Sequence, residues 1–95
     1  ASIFKLLPDP IPGMEMDRME LQAGGRMGGV PHVPGTKEYL TCVHGEITLH
    51  VAGTSHRLEE GDVLAFPGDQ AHSYQNSGRR KSVCFSVVVL APVGV

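Results

Sequence analysis

The chain has 95 residues, 41% of them apolar, and a formal net charge of −2. That length predicts one domain with one modest core. The charge excludes a basic field able to grip nucleic acid through this chain alone, and no apolar run approaches the roughly 20 residues of a membrane-spanning helix.

In chain order, residues 3–7 (Ile-Phe-Lys-Leu-Leu) read as a short strand. Pro8, Pro10 and Pro12 then enforce an extended edge or linker, because proline supplies no ladder N–H. Residues 14–21 set Met14 and Met16 against charged neighbours and read as a strand whose methionines pack in the core. Residues 22–29 are glycine-rich but lack the strand–GxGxxG–helix context of a nucleotide loop, so they read as a turn or irregular edge.

Residues 38–43 and 46–51 read as two strands joined in a hairpin around His44-Gly45. Ile47, Leu49 and Val51 alternate with Thr48 and His50, which predicts one buried face. Ala52-Gly53 reads as a turn, 55–58 as a short strand, and Glu59-Glu60-Gly61-Asp62 as another turn. Residues 63–66 read as a short buried strand stopped by Pro67-Gly68; 72–75 and 82–90 complete the strands. Arg79-Arg80-Lys81 reads as a solvated loop. Cys42 and Cys84 lie far apart without CxxC spacing, so reduced buried thiols and a cytoplasmic location are expected. No signal-peptide pattern is present. Many short strands punctuated by glycine and proline, without a helical period, predict an all-β antiparallel sandwich or barrel.

Two segments gather ligand-type side chains: Pro31-His32-Val33-Pro34-Gly35-Thr36-Lys37-Glu38-Tyr39 and Phe66-Pro67-Gly68-Asp69-Gln70-Ala71-His72. Alternation sends Glu38, Leu40 and Cys42 to one face, and His72, Tyr74 and Asn76 to one face. If those faces line the interior, His32, Glu38 and His72 converge as two imidazoles and one carboxylate. Such a set suits a divalent metal such as Fe, Mn, Ni or Zn. His44, His50 and His56 read as exposed structural histidines.

The first segment, with Gly45 beyond it, resembles the first motif of the cupin family; His32, Glu38 and Gly45 fall in register. The second resembles the second cupin motif through Gly61, Pro67, His72 and Asn76. The resemblance implies a double-stranded β-helix, an antiparallel jelly-roll barrel, over 23–90. N-terminal strands and a Pro-rich linker would occupy 1–22, and a tail 91–95. Two departures stand out: Pro34 replaces the second histidine of the first motif, and Asp69 replaces a glycine of the second. The family's four-ligand set, carried over, shrinks to His32, Glu38 and His72. That set suits either a metal or a metal-free polar pocket.

The runs Pro-His-x-Pro-Gly-Thr-x-Glu-Tyr-Leu-Thr and Phe-Pro-Gly-Asp-Gln-Ala-His-Ser-Tyr-x-Asn resemble more narrowly the C-terminal cupin domain of XRE-type helix-turn-helix regulators. This implies a small-molecule effector, a homodimer, and DNA contacts made by an N-terminal domain that this sequence does not contain. Tyr74 and Gln70 would add hydrogen bonds to the effector, Leu40 and Cys42 an apolar wall, and no residue is assigned as catalytic. Strand 3–7 is a candidate for pairing between partners. Two other readings are a small metal-dependent dioxygenase or isomerase, and a pure dimerisation module.

Overall fold

The computed structural model describes residues 1–90; the expected tail at 91–95 lies outside them. Nine strands follow in order: β1 (Ser2–Lys5), β2 (Met14–Leu21), β3 (Arg26–Gly28), β4 (Lys37–His44), β5 (Ile47–Val51), β6 (Thr54–Leu58), β7 (Val63–Pro67), β8 (His72–Gln75) and β9 (Ser82–Val89). There is no helix among the described residues. A five-stranded sheet runs β1-β2-β9-β4-β7 and a four-stranded sheet runs β3-β8-β5-β6. All pairings are antiparallel.

The two sheets bury their facing sides against each other. Leu21, Leu40, Cys42 and Cys84 come from the first sheet, Ile47, Leu49, Val51, Leu58 and Tyr74 from the second. Each large aliphatic chain removed from water contributes about 1.5–3 kcal/mol. The two-residue period of β9 follows directly: Ser82, Cys84, Ser86 and Val88 point inward, while Val83, Phe85 and Val87 are half-buried on the outer face.

The predicted β4–β5 hairpin is absent. Gly45 does take a positive φ of +75°, but the chain crosses there from one sheet to the other. A Cβ at Gly45 would lie 2.7 Å from the Lys81 carbonyl oxygen, so the corner is closed by backbone. The true tight hairpin joins β5 to β6 through Ala52 (φ +48°) and Gly53 (φ +79°). Two successive positive φ values match the right-handed twist of the flanking strands.

Two further expectations are corrected, for β7 and for the methionines of β2, while the expected buried, unpaired thiols are found. β7 is an edge strand in which only Phe66 is buried, and that position tolerates Pro67. Cys42 and Cys84, distant in sequence, face each other in register across β4 and β9; both are buried and free. Met14 and Met16 face outward, because Met19 and Leu21 fix the odd positions of β2 as the inner face. That register also turns Glu15 and Asp17 inward.

Candidate functional site

The two ligand-bearing loops are stitched together by backbone. His32 N–H donates to the Gly68 carbonyl (2.9 Å), and Gly68 N–H donates to the Thr36 carbonyl (2.8 Å). Asp69 accepts from the Gly35 N–H (3.2 Å), so the carboxylate that departs from the motif ties one loop to the other. These bonds fix where β4 and β8 begin, and hence where Glu38 and His72 project.

Glu38 sits on the inner face of β4 and is 2% exposed. The Tyr74 hydroxyl, from β8, donates to Glu38 Oε2. His72 Nε2 lies 3.7 Å from Glu38 Oε1. His72 Nδ1 is 2.8 Å from the Gln70 carbonyl oxygen. A carbonyl only accepts, so Nδ1 carries the proton and Nε2 is turned toward Glu38. The imidazole is held edge-on by Phe66 (5.3 Å, 63°) and Tyr74 (5.6 Å, 86°). Gly29 closes the remaining side. A Cβ there would come within 2.0 Å of His72 Nε2, and the Gly29 N–H donates to the His72 carbonyl.

Burial pushes the Tyr74 phenol well above the usual tyrosine range; the Glu38 charge, its hydrogen bond and the Asp17 charge add to the shift. Tyr74 is therefore a fixed donor. Burial likewise raises both the Cys42 and Cys84 thiols, which makes them inert rather than nucleophilic.

Glu38, His72, Tyr74 and Gly29 line a cavity of about 160 Å³ that also reaches His32, Met19, Met27 and Val88. Of the residues expected to form the site, His32, Glu38, His72 and Tyr74 thus meet around one space. Leu40 and Cys42 are wholly buried in the core and do not line it. Gln70 lies in an exposed turn and acts on the site through its carbonyl. Three charged lining residues escaped the sequence reading: Lys5, Glu15 and Asp17. The available signal was parity, since Asp17 shares its face with Met19 and Leu21.

A wider cleft of about 360 Å³ lies among Gly45, Glu46, Arg57, Glu59, Glu60 and Arg80. None of its lining residues belongs to either loop, and Arg57 pairs there with Glu46 and Glu59, Arg80 with Glu60.

Among the described residues, no group of three or more His, Cys, Asp or Glu side chains is arranged to hold a divalent metal. One Glu38 oxygen is taken by the Tyr74 hydroxyl and the other faces His72, while His32 joins the same cavity wall without completing a triad. In this arrangement the residues do not fit a metal, and the site offers hydrogen bonds and charge instead.

Known proteins share the fold. The model of the family described as "Cupin domain" matches residues 17–89. The HTH-type transcriptional regulator SutR of Escherichia coli (strain K12) is 29% identical over 79 residues, covering 82% of this chain and 44% of that protein. The structure of the cupin domain of an XRE family transcriptional regulator from Enterobacter cloacae is 26% identical with a TM-score of 0.83, over 96% of both chains. An HTH_3 family transcriptional regulator from Vibrio cholerae is 25% identical with a TM-score of 0.83, over 95% of this chain and 51% of that one. The chain spans about half the length, or less, of these two whole regulators.

Proposed function

The chain belongs to the cupin family, and from that premise we propose that it is the small-molecule-sensing domain of a cytoplasmic transcriptional regulator. The effector occupies the cavity between the sheets. The observation that carries this reading is the buried Glu38–Tyr74–His72 cluster facing a cavity. Burying a carboxylate is costly unless it is hydrogen-bonded. A fold that needed only packing would place an aliphatic chain there. Relatedness to regulators supports assigning the cavity to sensing rather than turnover.

Glu38, His72 and His32 contact the effector in this proposal, and Tyr74 holds the Glu38 carboxylate in place. Dimerisation uses the outer face of the five-stranded sheet, where Tyr39, Val43, Val63 and Val89 remain exposed. β1 offers a free edge beside it. Effector binding shifts the dimer only through different affinities for two arrangements; DNA is contacted by a domain outside this chain.

The test is a thermal-shift screen of the protein against fractionated small metabolites and, separately, Fe(II), Mn(II), Ni(II) and Zn(II). A metabolite that raises Tm in the wild type but not in Glu38→Gln supports the proposal. Stabilisation by a metal, with turnover of any bound compound, would replace it with the metal-dependent enzyme. No stabilisation by any fraction would reduce the domain to a scaffold.

A further inference from the structure

We infer that the effector of this cavity carries a protonated amine, recognised by Asp17 together with Glu38; the inference rests on the sensor reading above. Asp17 is 5% exposed, and among the described residues its carboxylate is met by one side-chain cation, the Lys5 ammonium 3.2 Å from Oδ1. A buried carboxylate is costly to a fold unless a cation or donor meets it. Both Asp17 and Glu38 line the same cavity. Register places them on adjoining rows: Glu15, Val88 and Glu38 stand in one row across β2, β9 and β4, with Asp17 and Ser86 in the next.

Apart from the Ser86 hydroxyl, which can donate or accept, the polar groups of the inner wall are mainly acceptors. Asp17 Oδ1 and Glu38 Oε1 accept, and His72 Nε2 does so when neutral, because Nδ1 is committed to Gln70. The Tyr74 hydroxyl donates, but it is spent on Glu38. Such a wall selects a ligand rich in N–H donors. Three carboxylates (Glu15, Asp17, Glu38) face the cavity against one ammonium, that of Lys5.

Lys5 itself shows what the cavity attracts. Its Nζ lies 3.2 Å from Asp17 Oδ1 and 4.0 Å from Glu15. It donates to Asp17 Oδ2 at 3.3 Å, so the two carboxylate oxygens share one ammonium. The Lys5 side chain is 67% exposed and comes from the edge strand β1. An exposed lysine holds its partner weakly. It therefore acts as a displaceable stand-in for the ligand's ammonium at the cavity mouth.

The experiment titrates n-propylammonium, propionate and 1-propanol, which share size and shape, into isotope-labelled protein at physiological ionic strength. Backbone amide shifts around Gly29, Glu38 and His72 are followed by NMR. The expected result is binding of the amine at least about tenfold tighter than either isostere. Asp17→Asn weakens it by roughly ten- to a hundredfold, the weight of a hydrogen bond to a charged group. Lys5→Met, on an exposed strand, removes the competitor and tightens amine binding roughly two- to fivefold. Preferred binding of propionate, abolished in Lys5→Met, would overturn the inference and leave the sensor pocket standing. Equal binding of 1-propanol, or amine binding indifferent to both substitutions, would also overturn it. Silence of the cavity amides to all three probes would remove both the inference and the sensor reading.

Discussion

Tyr74→Phe isolates the bond on which the site turns. The substitution removes one oxygen and leaves the ring, with its edge contact to His72, in place. Glu38 then loses its hydroxyl donor while staying 2% exposed. His72 does not replace it, since 3.7 Å is beyond hydrogen-bond range. Losing a hydrogen bond to a buried charged acceptor costs about 1.5–3 kcal/mol. In a domain of 95 residues that lowers Tm by on the order of 10 °C. The assay is urea and thermal unfolding of four proteins: wild type, Tyr74→Phe, Glu38→Gln and the double variant. With the charge gone, the same hydroxyl is worth only about 0.5–1.5 kcal/mol, so the Tyr74→Phe cost shrinks in the Glu38→Gln background. A Tyr74→Phe protein within about 0.5 kcal/mol of wild type, or an identical cost in both backgrounds, would refute the reasoning.

Other expectations follow from neighbouring groups. Gly29→Ala forces a methyl against the buried His72 ring; it destabilises by about 1–3 kcal/mol and abolishes effector binding, both read by thermal shift. Asn76→Ala removes donors to the Leu21 and Arg80 carbonyls and the acceptor of the Gly78 N–H; unfolding free energy falls by about 2–4 kcal/mol in urea titration. Folded-state values above the unfolded ones for Cys42, Cys84 and Tyr74 mean that their contribution is complete below the unfolded pKa and is lost as pH rises. Stability is accordingly flat for these groups at neutral pH and declines from about pH 9, the ordinary thiol value, and further from about pH 10, the tyrosine value. Unfolding midpoints against pH check the sign. Both thiols resist a disulfide reagent in the folded state and react at the rate of global opening, measured by stopped-flow absorbance.

The strands were legible because their signals are local. Ile47, Leu49 and Val51 alternate cleanly, and the glycines punctuate the turns. The partner of each strand was not legible. His44-Gly45 has hairpin chemistry, yet β4 pairs with β7 and β9 instead, because closing two sheets requires a corner at Gly45. The convergence of His32, Glu38, His72 and Tyr74 was readable from alternation plus the family motifs. The acidic side of the cavity was not. Choosing Met14 and Met16 as the inner face of β2 concealed Asp17, whereas Met19 and Leu21 carried the opposite parity. Leu40 and Cys42 share a face with Glu38, but the cavity occupies only the end of the barrel near the loops, and those two residues fill the core beyond it.

Native mass spectrometry of the protein as purified, beside Glu38→Gln, tests the central claim most directly. The account predicts an organic adduct of one ligand per chain on the wild type, absent from Glu38→Gln, with the same oligomer mass for both. A wild type that carries no organic adduct even when saturated with metabolite fractions, or an adduct retained in Glu38→Gln, would contradict the assignment of this cavity as the effector site.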